Sequence, residues 1–190
     1  MFAEAWARPL LVVHAVVACA AVASATHAAL WLRRHLRDGS RLRATRRFGT
    51  ITAALFALAF VGGLVIYPTY RTRVRAELLD DPIALTAMVD AEATARAARG
   101  EPLPPPEVRA ARAEARVADA ARAARWFDVK EYLALVGLLL ALAVAVILRA
   151  WTPEAAPAIG GITLGLALAT AACGWATGVI GLLTTAWRGV

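Results

Sequence analysis

The chain has 190 residues, of which 60% are hydrophobic and 18% charged, and it carries a formal net charge of +7 with two cysteines. This balance excludes an ordinary water-soluble domain, where about a quarter of residues are charged, and makes the lipid bilayer the first solvent to test. The basic surplus gathers in one segment between apolar runs with no base-stacking or groove-reading motif beside it, so it does not indicate nucleic acid. Cys19 and Cys173 both fall inside apolar runs, where a thiol acts as a small hydrophobe, so no disulfide framework is indicated.

Four apolar runs, Leu10 to Leu32, Ile51 to Tyr67, Tyr132 to Leu148 and Ala158 to Trp187, meet or approach the ~20 residues needed to cross ~30 Å of hydrocarbon. Each is predicted to be a helix, because lipid offers no partner to backbone N–H and C=O groups and a helix satisfies them internally. The expectation is an all-α, four-transmembrane-helix bundle. Residues 1–68 would hold transmembrane helices 1 and 2, residues 69–127 a helical periplasmic insert, and residues 128–190 helices 3 and 4. Lys130 is the only lysine amid many arginines and alanines, a bias that suggests a GC-rich bacterial genome and hence the bacterial inner membrane.

The first run contains "VVAC" ending at Cys19 and "ASA" ending at Ala25, each resembling a cleavage site. The apolar stretch continues past both to Leu32, and Glu4 offsets Arg8 ahead of it, so the segment is expected to stay as a span. It carries His14 and His27 among Ala15, Ala18 and Ala28, small neighbours of the kind that admit a haem b macrocycle. Helix arithmetic sets the two imidazoles about 20 Å apart along the axis and about 140° apart around it. They therefore share no face, and the other spans supply no histidine or methionine as a second axial ligand. Polar packing, with each histidine bonding a carbonyl or Thr on a neighbouring helix, is the expected role. Ionisable residues at membrane depth nonetheless mark functional sites, which keeps His14 and His27 as cofactor-binding candidates.

Residues 33–47 are expected to form a basic loop between the first two spans, with Arg33, Arg34, Arg37, Arg41, Arg43, Arg46 and Arg47 against one acid, Asp38. The positive-inside rule places it in the cytoplasm, which puts both termini and the insert in the periplasm. Its arginines are expected to meet anionic lipid headgroups.

The second run ends at "VIYPTYRTRVR", with Tyr67 and Tyr70 expected at interface depth, Pro68 expected to stop the helix, and Arg71, Arg73 and Arg75 just outside. The third opens at "WFDVKEYL", where Trp126, Phe127 and Tyr132 make a matching aromatic belt. Asp128 and Glu131, beside Lys130, are expected to pair with Arg71 or Arg73 across this interface. In the insert, Asp81 reads as an N-cap, Pro82 as the first helical residue and Gly100 as the residue after the last turn. "EPLPPP" then breaks the chain, and a second helix should start near Pro106 and run through Trp126 into the third span, with Arg116, Asp119 and Arg122 at helical neighbour spacing. These alanine-rich helices are expected to make a thin hairpin that buries little area, mobile or docked on a partner. The fourth run holds Gly161 and Gly165, then Gly174 and Gly178, spacings that let helices approach closely within the bundle or between subunits.

At "YPTYRTRVR" and "FDVKEYLALVG" the chain resembles small uncharacterised bacterial four-span inner-membrane proteins with YPxYR and FDxKEH-like motifs. The resemblance covers about a tenth of the chain. It implies a pairing of Arg71 with Glu131 at the periplasmic surface and no reaction. Tyr132 stands where that pattern has histidine, so no metal or haem role carries over to it.

No HExxH, GxSxG, P-loop, CxxC or GxGxxG motif is present. The expected function is a non-enzymatic accessory, assembly or scaffold subunit of a membrane complex, its partners being the bilayer and other membrane subunits or further copies of itself. The alternatives are a haem b-binding electron carrier using His14 and His27, and a small-solute permease.

Overall fold

The computed structural model of the chain describes residues 2–184. Thr185 to Trp187, the end of the expected fourth span, lie outside the described residues. The described chain is helical in every element: α1 (Phe2–Asp38), α2 (Leu42–Thr69), a π-helix (Tyr70–Leu79), α3 (Pro82–Ala97), α4 (Pro106–Ala150) and α5 (Pro157–Thr184). Four helices are long and apolar enough to cross a membrane. The chain is thus built as a multi-pass membrane protein.

The elements fall into two compact units, one of α1, α2 to Ile66, α4 from Val129 and α5, the other made chiefly of residues 67–128. The first is a bundle whose interior is dominated by small side chains. One layer joins Ala21, Ala25, Ala53, Phe56, Ala141 and Ala145, and the next joins Ala29, Leu32, Val144, Leu148, Trp151 and Ala167. In lipid, helices associate through close van der Waals contact rather than expulsion of water, and alanine and glycine permit it. Gly137 of α4 shows how close: a Cβ there would come within 2.9 Å of the Phe56 ring and 3.3 Å of Cys173 Cβ. One buried polar contact joins α1 to α2, Ser24 Oγ to Thr52 Oγ1 at 2.9 Å. Large apolar residues such as Val12, Val16, Leu58, Leu64, Leu139, Val146 and Leu168 point outward, as a lipid-facing surface requires. Cys19, expected to be buried, is among the exposed residues, and Cys173 is half-buried; both are free thiols.

Two expectations fail in the second unit. Pro68 does not end its helix: α2 continues through it to Thr69 and passes directly into the π-helix. Proline cannot donate to the carbonyl four residues back, and the turns that follow are wound wider, as in the Asp80 N–H to Arg75 C=O bond at 2.8 Å. Nor does Tyr70 stay at the surface. Tyr70, expected at the interface, is buried and stacks on Phe127 with ring centroids 3.7 Å apart, at the centre of a core with Leu79, Leu85, Ala120 and Ala124. The local signals were sound. Asp81 accepts from the Ile83 and Ala84 amides at 2.9 and 3.1 Å, Gly100 takes φ +89°, and α4 runs unbroken from Pro106 into the third span. Arg109 of α4 reaches Asp90 of α3 at 2.9 Å, joining the two helices.

Candidate functional site

His14 and His27 occupy different settings on α1. His14 is half-buried and lies against the paired glycines of α2, so that a Cβ at Gly62 would fall 3.4 Å from its Nδ1 and one at Gly63 3.5 Å from its Cε1. His27 is exposed, and its Nδ1 is 2.8 Å from Ala23 C=O, one turn back on its own helix rather than on a neighbouring one. A carbonyl only accepts, so Nδ1 is the donor of this bond and Nε2 is the ring nitrogen left outside it. The ring stacks on Phe48 of α2 at 6.1 Å. Among the described residues, no group of three or more His, Cys, Asp or Glu could hold a metal ion. A cavity inside the bundle, between Ala25, Thr52, Ala141 and Thr170, is about 10 Å³, room for one water and for no larger solute.

The basic segment is not a loop. Helix α1 runs on to Asp38 and α2 starts at Leu42, leaving a turn of Gly39, Ser40 and Arg41. Gly39 and Arg41 both have φ +67°, a conformation that costs a residue with a Cβ about 1–2 kcal/mol. Ser40 closes the turn through its N–H and hydroxyl to Asp38 Oδ1 at 3.0 and 2.6 Å. His35, buried, donates from Nδ1 to Ser40 C=O at 2.8 Å and sets its edge against the Trp151 ring.

The seven arginines divide sharply. Arg46 turns inward and is half-buried, donating from Nε to Leu148 C=O at 2.8 Å and from Nη2 to Trp151 C=O at 2.7 Å. It thereby supplies donors and positive charge to carbonyls at the C-terminal end of α4, where a helix lacks both. Trp151 is buried beneath it, with Nε1 donating to Ala156 C=O at 2.8 Å. Arg33, Arg34, Arg37, Arg41, Arg43 and Arg47 are exposed. Of these, Arg34 pairs with Asp38 at 3.5 Å, and Arg41 lies over the Trp31 ring at 4.8 Å from its centroid. Charge alone could not have separated Arg46 from the others. The Trp and apolar residues closing α4 were the available signal.

At the other interface Asp128 takes Arg75 as its partner, rather than Arg71 or Arg73, in a forked pair whose second bond, Nη2 to Oδ2, is 3.3 Å. Arg73 reaches Glu77 one turn on at 3.2 Å, and Arg71 is exposed and makes no ion pair among the described residues. Glu131 is half-buried on α4. Lys130, also half-buried, extends to α5, where a Cβ at Gly181 would sit 3.6 Å from its Nζ.

The four glycines singled out on α5 do not act together. A Cβ at Gly174 would meet Val22 at 3.2 Å and Phe56 at 3.3 Å, so this glycine serves the bundle, whereas Gly161, Gly165 and Gly178 have nothing within 4 Å among the described residues. The other close contacts fall at glycines that stand outside any spaced motif. A Cβ at Gly49 would meet Leu148, and one at Gly160 would meet Leu36 and the Trp151 ring.

Comparison with protein-family models, curated proteins and solved structures finds no match.

Proposed function

We propose that this chain is a non-enzymatic accessory, assembly or scaffold subunit of a complex in the bacterial inner membrane, with both termini and residues 69–127 periplasmic and the basic turn cytoplasmic. The observation that carries the reading is the outer side of α5, where Gly161, Gly165 and Gly178 face open space. Glycine in a helix interior costs about 0.5–1 kcal/mol relative to alanine, and here no packing among the described residues offsets it. In lipid such positions let a second helix approach closely. The occupant this reading assigns is a transmembrane helix of another subunit. The test is mild-detergent purification from the native host with Gly161→Leu and Gly165→Leu variants. Loss of a defined copurifying subunit from both, with the monomer still folded, supports the reading. An unchanged set of copurifying proteins, or loss of self-association alone, overturns it.

A second reading, a haem b-binding electron carrier, is favoured by the outward Nε2 of His27, the orientation of an axial ligand whose other nitrogen is fixed by a carbonyl. The second imidazole would come from another subunit, since His14 and His35 are held elsewhere on α1. A Soret band in the purified protein, lost in His27→Ala, supports this; a colourless preparation from haem-replete cells removes it.

A further inference from the structure

We propose that the outer seam between α1 and α2 is a binding site for one anionic phospholipid, its phosphodiester held by Arg41 and Trp31 and an acyl chain laid over Phe48 and His27. Three observations converge there. The first is a ladder of flat groups that begins at the basic turn and descends into the apolar part of the bundle. The Arg41 guanidinium lies 4.8 Å from the Trp31 ring centroid, Trp31 lies 6.4 Å from Phe48, and Phe48 lies 6.1 Å from His27. The successive rings are tilted by only 23° and 18°, so they form a continuous surface. Helix geometry sets His27 about 6 Å deeper than Trp31 and about 16 Å below the end of α1, which is acyl-chain depth when Arg41 is at headgroup level.

The second observation is unused hydrogen-bonding capacity at the top of the ladder. The Arg41 guanidinium lies over the Trp31 ring, and its N–H donors have no acceptor among the described residues. The Trp31 indole N–H has none either, whereas Trp151 and Trp175 donate to Ala156 C=O and Thr26 Oγ1. A planar fork of unused guanidinium donors, with an unused indole N–H on the ring beneath it, suits a phosphate with two free oxygens. The third is the backbone at Arg41. It adopts φ +67°, where glycine would fold more easily, so the turn keeps an arginine in a place that disfavours it. Generic attraction of the basic turn to anionic lipid would involve every exposed arginine; this site singles out one.

Native mass spectrometry of the full-length protein released from detergent micelles, titrated with dioleoyl phosphatidylglycerol or dioleoyl phosphatidylcholine, tests the proposal. One phosphatidylglycerol should be retained in preference to phosphatidylcholine. Arg41→Gln should weaken its retention about tenfold, the equivalent of one charge-assisted hydrogen bond. Arg43→Gln, which removes the same charge from an exposed neighbour, should leave it unchanged. Arg41→Gly, which relieves the turn and keeps the fold, should behave as Arg41→Gln, and Trp31→Phe should weaken retention while preserving the ring. Equal effects of Arg41→Gln and Arg43→Gln would reduce the site to diffuse charge and overturn the proposal. So would equal retention of phosphatidylcholine, or displacement of phosphatidylglycerol by inorganic phosphate, which would make the ligand a free anion.

Discussion

Arg41 and Arg46 carry the same charge on the same turn of sequence and do different things. Arg46 is a structural cation whose guanidinium fills the donor sites that the end of α4 leaves open. Removing it strands two carbonyls in a half-buried place, at a cost of about 1–3 kcal/mol. Arg46→Ala should therefore lower the thermal unfolding midpoint in detergent, followed by circular dichroism, while Arg47→Ala, at an exposed position with no ion pair among the described residues, should stay within about 0.5 kcal/mol of the parent. Equal midpoints for the two variants would refute the capping role. The aromatic partners follow the same logic, with Trp151 buried and tied down by its indole N–H and Trp31 half-buried beneath the Arg41 guanidinium.

At the scale of elements, the glycines separate inner from outer helix faces. Gly137→Ala pushes a methyl against the Phe56 ring and Cys173, an overpacking that costs about 1–3 kcal/mol. Gly161→Ala meets nothing within 4 Å and should be neutral or gain up to about 1 kcal/mol from helix propensity. The two variants compared in the same detergent by chemical unfolding check the assignment of faces, and a larger loss at Gly161 would contradict it. Hydropathy located the four spans, and capping chemistry located Asp81, Gly100 and the start of α4, because those signals are local. The facing of Gly161 and Gly165 was not legible, since nearly every position in the α5 run is apolar or small and no polar face breaks the symmetry. Pro68 misled because its missing donor was read as a stop, whereas the chain widens into a π-helix and carries Tyr70 onto Phe127. The partner of Asp128 was missed for the same reason: an ordinary α-helix beyond Pro68 gives no basis for choosing Arg75 over Arg71 or Arg73.

At the scale of the whole molecule, the account rests on where each end of the bundle lies relative to the membrane. The apolar outer surface of α1, α2, α4 and α5 suits lipid, and on the proposed reading the exposed arginines of residues 33–47 mark the cytoplasmic end. On the proposed reading residues 69–127 are periplasmic, and a helix of another subunit meets the outward glycines of α5. The decisive measurement is labelling of single cysteines by a membrane-impermeant maleimide, in intact and in permeabilised cells, with Cys19 and Cys173 replaced by serine. Glu101→Cys should label in intact cells and Arg43→Cys only after permeabilisation. The reverse pattern, or labelling of both sites in intact cells, would contradict the account.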